Sequence, residues 1–248
     1  MSEVGPDPGD GTTSPLEALG VLANQDVMVT PSLRHLELYT LRGLLTILWH
    51  EPTGEAAKAA PSAVVLAGGA MGGLLGPANG LYHRLGETLA AQGVPTIRVS
   101  YRRPNDLDAC TLDVAACVQL LVGTGTERVV VMGHSFGGAV AVRAGVALPE
   151  HVAGVVTFAT QSAGCEVAGG LRGRPFLLFH GDRDEILPPE SSEIVVAMAG
   201  SGDLVRLPGD GHLLARSEDI IWQRLWEWLP DVLSTTGETG VGGAPDGR

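Results

Sequence analysis

Short apolar runs alternate along this chain with segments in which apolar residues recur every three or four positions. The runs are SAVVLAG (62–68), TIRVSY (96–101), RVVVMG (128–133), VAGVVTFA (152–159), RPFLLFHG (174–181) and DLVRLPG (203–209). Each is too short for a helix and predicts a strand, most of them buried on both faces. Between them the period lengthens. Residues 80–93 predict a helix with Leu81, Leu85 and Leu89 on one face and Gly93 as its stop. Further helices are predicted over 107–122, over 136–148 before Pro149, and over 191–199. Ser217 is placed to cap a last helix, with Glu218 and Asp219 in its first turn and Ile221, Leu225, Trp228 and Leu229 as its buried stripe. Upstream, LRHLELYT (33–40) and LLTILWH (44–50) flank Arg42-Gly43 and predict a hairpin.

Strands alternating with helices predict an α/β fold, a doubly wound and mostly parallel sheet covered on both faces, with an N-terminal antiparallel hairpin. In such sheets the working residues gather at the C-terminal ends of the strands. The length of 248 residues suits a single domain, expected over 21–233. Residues 1–15 and 234–248 are rich in Gly, Pro, Thr and Asp, and the stretches 1–20 and 234–248 are expected to be disordered tails.

The net charge of −12 removes nonspecific nucleic-acid binding and docking to anionic membranes from the candidates. No run of about 18 apolar residues occurs, so no transmembrane helix is expected. The N-terminus has no basic segment followed by an apolar one, so a cytoplasmic location is expected. Cys110, Cys117 and Cys165 show no metal-ligand spacing and read as buried thiols. The glycine-rich stretch LAGGAMGGLLGPANG (66–80) lacks the phosphate-binding patterns G-K-[ST] and G-x-G-x-x-G. Neither metal nor cofactor is expected.

Residues 131–138 read VMGHSFGG. With 35 glycines, a chain of this composition matches G-x-S-x-G about 0.2 times by chance, so context decides. Ser135 stands where a strand passes sharply into a helix of small residues. Gly133, Gly137 and Gly138 supply the room that such a turn needs. A serine hydroxyl needs a base. Of the seven histidines, His35 and His50 fall in the hairpin, His83 on a helix, His151 at a strand start and His134 beside the serine. Only His180 and His212 follow strand ends, His212 in a loop expected to be flexible. HGDRDEILP (180–188) offers Asp182, Asp184 and Glu185 as the acid that would orient it.

The elbow GHSFGG, the acid turn HGDRDEILP and the loop GDGHLL come in the order Ser, Asp, His, separated by 49 and 28 residues. On these motifs residues 33–230 resemble the α/β-hydrolase family, in particular its lidless serine esterases and thioesterases. The resemblance implies a triad of Ser135, Asp184 and His212, with Asp182 the runner-up for the acid. It also implies an oxyanion hole built from the N–H groups of Phe136 and Ala70, with Met71 as the alternate to Ala70. Where similar proteins have His-Gly, this chain has Gly68-Gly69. Gly69, Met71, His134 and Gln161 are candidate substrate contacts. Arg102 and Arg103, after TIRVSY, are read as solvated or salt-bridged rather than substrate-facing, and Cys165 as structural. Thr160–Arg174 is too short for an inserted cap domain. The activity implied is hydrolysis of a small-molecule carboxylic ester or thioester through an acyl-enzyme. Amidase, peptidase or acyltransferase chemistry on the same triad is the alternative, and a non-catalytic binding protein a further one.

Overall fold

The computed structural model describes residues 13–57 and 61–234. Strands buried on both faces can satisfy their backbone groups only against one another. The result is one nine-stranded sheet. It begins with three antiparallel strands, β1 (Val21–Thr30), β2 (Leu33–Thr40) and β3 (Gly43–His50). Six mutually parallel strands follow: β4 (Ser62–Ala67), β5 (Thr96–Ser100), β6 (Arg128–His134), β7 (Val152–Phe158), β8 (Phe176–Gly181) and β9 (Asp203–Leu207). The spatial order is β1-β2-β3-β5-β4-β6-β7-β8-β9, with β3 antiparallel to β5. The expected α/β architecture is therefore present. The expected hairpin is β2–β3, enlarged by β1.

Helices cover both faces: α1 (Pro15–Leu19), α2 (Pro77–Ala91), α3 (Leu107–Val122), α4 (Phe136–Ala147), α5 (Glu190–Ala199) and α6 (Glu218–Leu233). The period of two divides each central strand between two cores. Ala63, Val65 and Ala67 of β4 join Val114 and Val118 of α3 and Val140 of α4. Val64 and Leu66 join Leu81 and Leu85 of α2 and Leu225 and Leu229 of α6. None of the described helices is long and apolar enough to cross a membrane. Cys110, Cys117 and Cys165 are buried free thiols, and burial pushes Cys110 and Cys165 up to about 12.

Three local expectations are corrected. Residues 15–19, assigned to the N-terminal tail, form α1. Ser14 and Glu17 cap it reciprocally, and Leu19 enters the first core. Residues 1–12 and 235–248 of the expected tails lie outside the described residues. Ser217 occupies the N-cap of α6, but its side chain makes no capping bond. In the stripe of α6, Trp226 is buried beside Ile221, Leu225 and Leu229, whereas Trp228 lies at the margin against Gly154.

Between β7 and β8, residues 159–175 contain only a one-turn 3-10 helix, Ala168–Leu171. No cap domain is inserted there, and the C-terminal end of the parallel sheet stays open on that side.

Candidate active site

Ser135 is held at φ +56° and ψ −120°, a conformation costly for any residue with a Cβ. Its N–H donates to the Phe158 carbonyl (2.8 Å), and its carbonyl accepts from Gly138 N–H (2.9 Å). The turn is too tight for side chains at two flanking positions. A Cβ on Gly133 would run into the Gly137 carbonyl, and one on Gly137 into the Gly68 carbonyl. The strain thus sets the half-buried Ser135 at the tip between β6 and α4. Phe136, the first residue of α4, has an N–H with no intrahelical acceptor.

Asp184 follows the end of β8. One carboxylate oxygen, Oδ1, accepts from the N–H groups of Ile186 and Leu187, each at 2.8 Å. The other, Oδ2, is 2.7 Å from His212 Nδ1. Burial alone would raise the Asp184 carboxyl, but these donors outweigh it and hold the group below its usual value. A carboxylate there accepts only, so His212 Nδ1 carries its proton and Nε2 is left as the basic nitrogen. Asp182 instead accepts from Gly209 N–H (2.6 Å) and braces the loop that carries His212.

That loop, expected to be flexible, is pinned from several sides. His212 N–H donates to Glu185 Oε2 (3.2 Å), and Arg183 N–H donates to the Asp210 carbonyl (2.9 Å). Asp210 accepts from the N–H groups of Gly211 and Arg216. His134 Nε2–H donates to the His212 carbonyl (3.0 Å), and the two rings lie 4.9 Å apart. His212 is only 5% exposed. His134 therefore positions the histidine loop. Nothing in its sequence position beside the serine signals this, because its partner is 78 residues away.

His180 is buried against the far side of Asp184. Its Nε2 lies 3.2 Å from the Leu187 carbonyl and 3.1 Å from Asp184 Oδ2. Both are acceptors, so Nε2 carries the proton and Nδ1 accepts from the Ser192 hydroxyl at 2.6 Å. The structure thus brings Asp184 and His212 into contact at the same sheet end as Ser135. Ser135 Oγ makes no hydrogen bond to His212.

Two tyrosines support the strand end at Gly68. Tyr101 Oη–H donates to the Gly68 carbonyl (3.0 Å) and Tyr82 Oη–H to the Ala67 carbonyl (2.9 Å). Gly69 lies against the elbow, since a Cβ there would be 3.9 Å from Ser135 Cβ. Gly72 N–H closes a turn onto the Gly69 carbonyl (2.9 Å), leaving the N–H groups of Ala70 and Met71 outside that bond. Ala70 packs on the first core, whereas Met71 is 93% exposed at the tip. Gln161 turns its amide to the Ala163 carbonyl within its own loop. Arg102 is buried in an ion pair with Asp113 of α3 (Nε to Oδ1, 2.5 Å), and Arg103 pairs with Asp106 (3.2 Å).

Burial lowers His134 and, beneath α2, His50 to about 4. Both are neutral in the folded chain at pH 7, while an unfolded histidine titrates near 6.5. Their contribution is full above pH 6.5 and is lost as pH falls toward 4. Unfolding free energy from urea titration is therefore expected to fall between pH 7 and 4.5 by on the order of a few kcal/mol in all. A flat profile would contradict the neutral assignment.

No family model matches the chain, and no curated protein matches it. Solved structures do. Est1E from Butyrivibrio proteoclasticus is 16% identical, aligned over 80% of this chain and 98% of its own, with a TM-score of 0.68. XC6422 from Xanthomonas campestris, described as an α/β serine hydrolase without lid, is 19% identical over 85% and 99%, with a TM-score of 0.66. A monoacylglycerol lipase from Paleococcus ferrophilus is 17% identical over 76% and 99%, with a TM-score of 0.59. At these identities the likeness establishes the fold, which is that of the α/β hydrolases.

Proposed function

We propose that this chain is a serine hydrolase that cleaves carboxylic esters or thioesters through an acyl-enzyme. The observation that carries the reading is the strained Ser135 at the β6–α4 turn, set at the same sheet end as a buried Asp184–His212 pair. Ser135 Oγ attacks the acyl carbon while His212 Nε2 takes its proton. Such a contact is often long before substrate binds and tightens in the complex. Asp184 holds the tautomer and steadies the imidazolium that forms. The N–H groups of Phe136 and Ala70 receive the developing oxyanion, each worth about 3 kcal/mol of barrier by analogy with other acyl-transfer sites. Of Ala70 and Met71, Ala70 is the better candidate, because it is the inward residue of the Gly69–Gly72 turn. His212 then returns the proton to the leaving group and activates the water that releases the acid. The likeness to the Paleococcus ferrophilus monoacylglycerol lipase fits an ester-cleaving reading.

The test is labelling with a fluorophosphonate, which reacts only with an activated serine. Wild type is expected to label and to turn over short p-nitrophenyl esters, whereas Ser135→Ala does neither. Equal labelling of the two proteins overturns the nucleophile, and a folded wild type that does not label favours a non-catalytic role.

A further inference from the structure

β1 is exposed at every one of its ten residues, although it pairs with β2 along its length. Among the described residues it is an edge of the nine-stranded sheet, so one row of its N–H and C=O groups has no strand partner among them. Proteins guard such edges with Lys, Pro or short length. This strand has neither residue, carries a single charge at Asp26, and shows Leu22 66% and Val29 57% exposed.

The sequence VLANQDVMV (21–29) is symmetric in polarity about Gln25. Two copies laid antiparallel with a two-fold axis at Gln25 set Val21 against Val29, Leu22 against Met28 and Ala23 against Val27. Asn24 then meets Asp26, its amide donating to the carboxylate, and Gln25 meets its own mate. Moving the register by two residues would oppose Asp26 to Asp26, which repels. The regular part of β1 covers this centre, since the irregularities in its pairing lie near Leu22 and Val29. Beside Ala23, Tyr39 and Leu44 continue an exposed apolar row across the same face. We infer that β1 is a self-pairing edge through which two copies of this chain join into one continuous sheet.

Two measurements test this on the full chain. Sedimentation across the micromolar range is expected to show a monomer–dimer equilibrium. Val27→Lys should shift it to monomer while circular dichroism stays unchanged, because Val27 is on the surface. The register is tested by air oxidation of single-cysteine variants, with the three native thiols buried. Opposed residues of an antiparallel pair have Cα atoms about 4.5–5.5 Å apart, within disulfide range. Gln25→Cys should therefore give a covalent dimer, and Asn24→Cys, opposite Asp26, should not. A wild type that is monomeric throughout, with residues 1–12 or nothing on the edge, overturns the proposal. So does a dimer that Val27→Lys leaves intact, or equal cross-linking of the two cysteine variants.

Discussion

Asp184→Asn is expected to lower kcat about 10⁴-fold while the chain stays folded. Oδ1 of Asp184 receives two backbone N–H groups, from Ile186 and Leu187. An asparagine must keep its carbonyl oxygen there, so its amide NH₂ turns toward His212 Nδ1. Nδ1 then has to accept, the ring proton moves to Nε2, and the imidazole can no longer take a proton from Ser135. His180 Nε2–H, which faces the Oδ2 position of Asp184, then loses one acceptor and keeps the Leu187 carbonyl as the other. Turnover of p-nitrophenyl acetate measures the loss, with thermal unfolding as the control for folding. A kcat within tenfold of wild type would remove Asp184 from the triad.

Asp113→Ala is expected to cost about 3–5 kcal/mol of stability, because it strands a buried guanidinium. Asp113 accepts both the Arg102 N–H (2.9 Å) and its Nε–H. Burial pushes the Asp113 carboxyl above its usual value, and the Arg102 contacts only partly offset that. The pair is thus poised rather than strongly stabilising. Replacing both partners, Arg102→Met with Asp113→Leu, should restore most of the loss. Urea titration reads the two variants, and a single substitution as benign as the double would show that solvent reaches the pair. Turnover of p-nitrophenyl acetate per folded molecule should be unchanged in the double variant, as Arg102 pairs with Asp113 of α3.

The elements that sequence reveals well are those whose burial leaves a pattern. The runs of β4 and β6 bury alternate residues in two cores and are unmistakable for that reason. β1 buries nothing, so its mixed sequence carries no periodic trace. α1 is a single turn, shorter than any useful window. Ala78, Asn79 and Gly80 at the start of α2 have positive φ, which Asn and Gly tolerate and which the apolar period does not signal for Ala78. Motif order places His212 and the acidic turn 180–188 at strand ends, and the resemblance to the α/β hydrolases singles out Asp184 from that turn. The supports of the Asp184–His212 pair could not be anticipated. His134, His180 and Glu185 beside that pair, and Tyr82 and Tyr101 at the Ala67–Gly68 strand end, act through contacts with carbonyls, N–H groups or carboxylates whose nearness is created only when the sheet assembles.

The plain link between β7 and β8 has a bearing on how this scaffold could change. Glu166 and Val167 are exposed within it. Lengthening a surface connection costs little, about 0.6 kcal/mol for each doubling. New chain spliced at that step would disturb no strand pairing, since neither residue belongs to a strand. The chain thus carries a ready graft point, where selectivity could be added after chemistry.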